Sequence, residues 1–118
     1  MKKENEFHSK LKMLMDKFVS EIYEVTKHFP KEETYGLTSQ LRRAALSVIL
    51  NYIEGYARQR KLVLKNFLEV SYGSLKETKY LIYFSGKQQY LNKSKERELL
   101  ELTEKIGAML WGIIIKLK

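Results

Sequence analysis

Five polar side chains recur along the segment 37–60 at spacings of four, four, three and four residues. This polar stripe consists of Arg43, Ser47, Asn51, Glu54 and Arg58. At about 100° per residue, a helix brings all five onto one face within roughly 80°. Such a stripe can bind a ligand or an RNA phosphate through its two arginines. It can equally be a structural network, because buried polar groups need partners and a satisfied network fixes one packing arrangement.

Positive charge is concentrated in the same part of the chain. Candidate phosphate-binding residues are Arg42, Arg43, Arg58, Arg60, Lys61 and Lys65, in a chain whose net charge is +8. Cations that neutralise phosphates give affinity without sequence specificity, and Tyr52, Tyr56 and Tyr72 offer rings on which unpaired bases can stack. The alternative is a solvated charged face whose cations suit the negative end of a helix dipole.

Residues suited to catalysis or metal binding are sparse. The two histidines, His8 and His28, lie 20 residues apart with no carboxylate at metal-ligand spacing. A di-metal helical bundle would require inward Glu-x-x-His pairs, which the sequence lacks. Its few glycines form no phosphate-binding loop. The sequence therefore predicts a protein that is not an enzyme and has no metal and no cofactor.

The hydrophobic spacing predicts four helices, at about residues 9–29, 37–60, 62–85 and 94–117. In each, apolar side chains recur every three or four residues, as in a bundle seam. Pro30 and Gly86 mark ends, since proline restricts the residue before it and glycine terminates helices. Short connections between long helices imply antiparallel neighbours. The fold class is therefore all-α, an antiparallel up-down-up-down four-helix bundle.

The second helix is apolar around more of its circumference than one core requires. Beyond its inward stripe it carries Leu46, Leu50 and Ile53, whereas a surface helix usually shows one stripe about 100° wide. We expect these three residues to contact a neighbouring subunit. Single glycines inside helices cost about 1 kcal/mol relative to alanine, so close helix approach is expected at Gly55, Gly73, Gly107 and Gly112.

Length and composition are consistent with one soluble domain over residues 1–118. The absence of cysteine fits a reducing cytoplasm, and the first residues lack the apolar run of a secretion signal. The longest apolar stretch, 109–115, is shorter than the roughly 20 residues that span a bilayer. We expect a cytoplasmic protein without a membrane partner.

Several segments resemble the 23S rRNA intervening-sequence proteins. They are YGLTSQLRRAALS at 35–47, then Asn51, Glu54-Gly55, NFL at 66–68, GSLKE at 73–77, MLWG at 109–112 and Leu117-Lys118. The resemblance covers about residues 10–118 and implies a bundle that assembles into a ring-like homopentamer. Similarity to a related group, the accessory proteins of diversity-generating retroelements, implies nucleic acid and a reverse transcriptase as partners. Ile49 and Leu50 stand where relatives often have proline and alanine.

Three functional hypotheses follow. The first is a non-catalytic homo-oligomer that binds RNA or DNA through its repeated Arg/Lys patches. The second is a protein-interaction scaffold whose positive charge is incidental. The third is a folded passenger with no partner. Salt separates the first two, because phosphate binding weakens steeply as salt rises.

Overall fold

The computed structural model describes residues 2–117. Four helices account for most of this range: α1 (Lys2–Thr26), α2 (Leu37–Tyr56), α3 (Lys61–Lys87) and α4 (Lys93–Ile114), with a short 3-10 turn at Lys31–Glu33. Each helix packs on its chain neighbours, and α1 and α4 close the arrangement. Within residues 2–117 there is no strand. The predicted all-α four-helix bundle is confirmed.

The predicted helix boundaries need correction at several ends. Helix α1 begins at Lys2 rather than Ser9, because its first turns are polar but rich in Lys and Glu, which favour helices. It ends at Thr26 rather than Phe29, since the next three residues form tighter turns ahead of Pro30. Helix α4 spans 93–114 rather than 94–117.

The boundary between the second and third helices also differs from the prediction. Helix α2 ends at Tyr56, four residues before the predicted end at Arg60, and α3 begins at Lys61 rather than at residue 62. Residues 57–60, which connect the two antiparallel helices, form the turn that reverses the direction of the chain. Helix α3 also continues through Gly86 to Lys87, and the left-handed residue that follows is Gln89, with φ 65°.

The core contains large side chains from all four helices, with Leu11, Phe18, Leu41 and Leu99 among the fully buried ones. Helix α3 contributes an alternation of large and small residues to this core. Its buried positions are Leu68, Ser71, Leu75, Thr78, Ile82 and Ser85. Hydrophobic periodicity predicts the large residues of this buried face but not the small polar ones, because it does not register serine and threonine.

Small residues allow α2 and α3 to approach closely. The Ser71 hydroxyl donates a 2.6 Å hydrogen bond to the main-chain carbonyl oxygen of Val48. An added Cβ at Gly55 would lie 3.0 Å from the Cβ of Phe67. The expected close approach therefore exists at Gly55. At Gly73 and Gly112 the expectation is wrong within this chain, since nothing lies within 4 Å of an added Cβ.

This contrast gives a prediction for two glycine-to-alanine variants. Gly73→Ala should raise the free energy of unfolding by about 0.5–1 kcal/mol, because alanine restricts the unfolded chain and meets no obstacle here. Gly55→Ala should lower it by about 1 kcal/mol, since the new methyl group presses on Phe67 and Leu64. Urea unfolding measures both. Equal stabilisation by the two variants would contradict the packing argument.

Candidate nucleic-acid interface

The connection between α2 and α3 positions a basic corner, which we define as Arg58, Arg60, Lys61 and Lys65. Arg58 follows the end of α2 by two residues, and its backbone N–H donates to the carbonyl oxygen of Gly55. Arg60 is the N-cap residue of α3 in an extended conformation, and Lys61 is the first helical residue. Arg60, Lys61 and Lys65 therefore lie at the start of α3, and Arg58 lies in the connection just after α2.

This placement changes the electrostatic interpretation of the corner. The N-terminus of a helix carries a positive partial charge, so cations there gain nothing from the dipole. The Arg60 side chain makes no capping hydrogen bond to the first turn of α3. The expectation that Arg60 and Lys61 stabilise a negative helix end is therefore wrong. Instead, their charges add to the positive end of α3, which favours a nearby anion.

The four members of the basic corner differ in their ion pairs. Arg58 Nη2 lies 2.5 Å from Glu54 Oε1, and its guanidinium group lies 5.3 Å from the ring centre of Phe67. Among residues 2–117, no carboxylate forms an ion pair with Arg60, Lys61 or Lys65. Arg60 and Lys61 are exposed. Three of the four cations are thus uncompensated by a local carboxylate.

The other two candidate cations lie elsewhere along α2. Arg42 connects α2 to α1: its Nε donates to Thr26 Oγ1 at 2.8 Å, and its guanidinium lies 4.5 Å from the ring centre of Tyr23. Arg43 Nη2 lies 3.4 Å from Glu77 Oε2 at an exposed position. Arg43 lies 13 residues, or about 20 Å of helix, before the end of α2, and Arg58 lies beyond that end. The structure therefore does not gather all six candidate cations into one patch.

The polar stripe lies along the boundary between α2 and α3. The hydroxyl groups of Ser47 and Ser74 are hydrogen-bonded at 2.7 Å. Asn51 Nδ2 donates to the carbonyl oxygen of Ser47 at 2.8 Å and to its hydroxyl at 2.9 Å. With the Arg43–Glu77 and Arg58–Glu54 pairs, every stripe residue has a partner inside the chain. This geometry favours the structural interpretation of the stripe over a ligand site.

An aromatic cluster that the sequence analysis missed lies where α1 meets the end of α2. His8 Nδ1 and the Tyr52 hydroxyl are hydrogen-bonded to each other. Tyr56 packs beside both, with ring centres 5.0 Å from His8 and 4.9 Å from Tyr52. No local pattern predicts a contact between residues 44 positions apart. Tyr52 is buried, so it is not available as the stacking surface that the sequence indicated.

Burial sets the protonation properties of this cluster. It lowers the pKa of His8; neighbouring Lys12 acts in the same direction and Glu4 opposes it. Burial also raises the pKa of Tyr52, with a smaller contribution from Tyr56, and raises that of Tyr56 itself. The cluster therefore favours a neutral imidazole beside two neutral phenols, which can donate and accept hydrogen bonds without carrying charge.

Within residues 2–117, no group of three or more His, Cys, Asp or Glu side chains is arranged to hold a metal ion. None of the helices in this range is long and apolar enough to cross a membrane.

The fold defines this molecule as a small antiparallel four-helix bundle. Residues 9–112 match the family described as 23S rRNA-intervening sequence protein, and the chain belongs to that family. A solved structure from Bacteroides thetaiotaomicron, described as a protein with unknown function from the S23 ribosomal protein family, superposes with a TM-score of 0.82. It is 19% identical, and the match covers 88% of this chain and 97% of that one. No curated protein matches.

Proposed function

We propose that this chain is a non-catalytic, cytoplasmic protein that binds RNA through the basic corner. One observation carries the proposal, namely where the surplus charge lies. Residues 37–87, which hold α2 and α3, contain nine Lys and Arg against three Glu, whereas α1 and α4 each contain equal numbers of basic and acidic residues. A polyanion would therefore meet one positive half of the bundle rather than a uniformly charged surface.

The local geometry of the basic corner supports the same proposal. Arg60, Lys61 and Lys65 lie in or beside the first turns of α3, where neither carboxylates nor the helix dipole compensate their charge. Cations that repel one another lower stability slightly unless an anion is present. A phosphate at this position would remove that repulsion and accept hydrogen bonds from the arginine and lysine side chains.

We further propose that the protein acts as a homo-oligomer, a pentameric ring according to the family resemblance. The α2 surface formed by Leu46, Leu50 and Ile53 supports a subunit contact: Leu50 is 56% exposed and Ile53 is 51% exposed in the isolated chain. A ring would repeat the basic corner once per subunit. Repetition converts weak phosphate contacts into avidity without any new contact.

The first test is binding of the full chain to a structured RNA, followed by fluorescence anisotropy from low to physiological salt. The affinity should fall linearly on a log–log plot, by about 0.7–0.9 in slope for each neutralised phosphate. Replacing Arg58, Arg60 and Lys61 together by glutamine should reduce that slope by about 2–3 per subunit and weaken binding at every salt concentration.

A matched variant separates the basic corner from total charge. Glutamine at Lys10, Lys93 and Lys105 removes the same three charges from exposed positions on α1 and α4. This variant should keep most of the affinity and the salt slope. If both triple variants lose affinity equally, net charge and not the basic corner explains the binding. If the unchanged protein does not bind even at low salt, the RNA proposal is wrong.

A protein-interaction scaffold is the second candidate, and the outer face of α3 favours it. Leu62, Val70 and Tyr80 are exposed along that face, and a row of exposed apolar side chains is typical of a protein contact. A protein partner held there would remain bound at high salt and after loss of the basic corner. It would be lost when Val70 and Tyr80 are replaced by charged residues.

A further inference from the structure

A groove runs along the surface between the first half of α1 and the last turns of α2. Its volume is about 420 Å³, and it is lined by Asn5, His8, Lys12, Tyr52, Ile53, Tyr56 and Ala57. Ile53 also belongs to the proposed subunit contact, so in the proposed oligomer the groove lies at the edge of that contact, with Tyr56 about 90° further around α2. Three of these side chains are rings, one is an amide and one is an ammonium group. The groove lies close in sequence to the basic corner, because Arg58 follows Tyr56 by two residues.

Tyr56 is the ring that this groove presents to solvent. It is 41% exposed, whereas Tyr52 behind it is 2% exposed. The His8 ring meets Tyr56 at an interplanar angle of 72°, and the Tyr52 ring meets it at 52°. Two rings that are themselves hydrogen-bonded therefore support Tyr56 from the core side. A ring held in this way loses little conformational freedom when another ring stacks on it.

The polar groups of the groove can bind the parts of a nucleotide other than the face of its base, namely the base edge and the phosphate. Asn5 can donate and accept hydrogen bonds at a base edge. The Lys12 side chain is exposed and can reach a phosphate oxygen. A base paired within a duplex cannot offer its face to a side chain, whereas an unpaired base can. A groove that combines an exposed ring, an amide and an ammonium group is therefore expected to bind single-stranded RNA more tightly than duplex RNA.

We propose that this groove binds an unpaired base of single-stranded RNA, with Tyr56 stacking on the base and Lys12 contacting the adjacent phosphate. This inference rests on the proposed function and makes it more specific. The basic corner supplies affinity for any phosphate backbone, and the groove adds a preference for unpaired nucleotides. Strands that carry an unpaired segment beside a phosphate-rich helix would engage both surfaces.

The test compares a single-stranded oligouridine with a duplex RNA of the same length, each bound by the full chain. Tyr56→Ala should weaken single-strand binding about tenfold and leave duplex binding unchanged. Tyr56→Phe keeps the ring and should bind as the unchanged protein does. Tyr80→Ala removes a tyrosine that is 59% exposed on α3, and it should have no effect on either RNA.

A second measurement does not depend on how the Tyr56 variants fold. Oligouridine containing 4-thiouridine, cross-linked by light to the unchanged protein, should label peptides from residues 5–12 or 52–57. Labelling confined to other peptides would overturn the groove assignment.

The experiment distinguishes a wrong groove assignment from a wrong proposed function. If both RNAs bind, lose affinity together in the Arg58/Arg60/Lys61 variant and ignore Tyr56→Ala, the groove inference is wrong while the RNA proposal stands. If neither RNA binds the unchanged protein, both are wrong. Equal losses for single strands and duplexes in Tyr56→Ala would also reject the groove assignment, since a base paired inside a duplex cannot stack on Tyr56.

Discussion

Leu50→Glu is expected to dissociate the proposed oligomer while leaving the four helices of the monomer intact. The Leu50 side chain lies on the outer surface of α2, more than half exposed, and it is not part of the buried core. A glutamate there costs the isolated chain little, within about 0.5 kcal/mol. Between subunits the same carboxylate would be buried without a partner, which costs several kcal/mol at each contact. Light scattering after size-exclusion chromatography measures the mass, and circular dichroism measures the helix content.

Met13→Glu is the matched control for this prediction. Met13 is also an exposed apolar residue, but it lies on α1, outside the proposed contact surface. It should leave the mass of the assembly unchanged. If Leu50→Glu keeps the mass of the unchanged protein, the subunit contact is not formed by Leu46, Leu50 and Ile53. If both variants dissociate the oligomer, the assembly depends on general surface hydrophobicity and not on this face of α2.

Features that depend on local periodicity were predictable from the sequence. The 3–4 spacing of apolar residues predicts one inward face for the first helix, and Leu11, Phe18 and Ile22, which share that face, are fully buried. The same reasoning predicted that Leu50 and Ile53 lie outside the core, and both are exposed. Helical periodicity fixes the direction in which each side chain points relative to its neighbours on the same helix. It therefore separates the faces of a helix even when the tertiary structure is unknown.

Features that depend on contacts between helices were not predictable. Arg42 appeared to be one of six equivalent cations, but it bonds to Thr26 on α1, 16 residues earlier. His8 offered no metal site, and its contact with Tyr52 exists only because α1 and α2 pack together. The start of α3 at Lys61 also changes the meaning of the basic corner, since a shift of a few residues moves its cations from one helix end to the other.

Ser71→Leu is expected to destabilise the bundle by about 2–4 kcal/mol, although it makes the core more hydrophobic. The Ser71 side chain is fully buried, and its hydroxyl bonds to the main-chain carbonyl oxygen of Val48 at 2.6 Å. The space beyond Ser71 is therefore occupied by the backbone of α2, which cannot turn aside as a side chain can. Leucine loses a hydrogen bond worth about 1 kcal/mol and adds about 1–3 kcal/mol of overpacking.

Two variants separate the components of this effect in urea unfolding at one protein concentration. Ser71→Ala removes only the hydrogen bond and should cost about 1 kcal/mol. Val70→Leu enlarges the adjacent, exposed residue and should change the free energy of unfolding by less than about 0.5 kcal/mol. If Ser71→Leu were as stable as the unchanged protein, α2 and α3 would have to separate at no cost. The alternation of large and small residues along α3 would then not set the distance between these two helices.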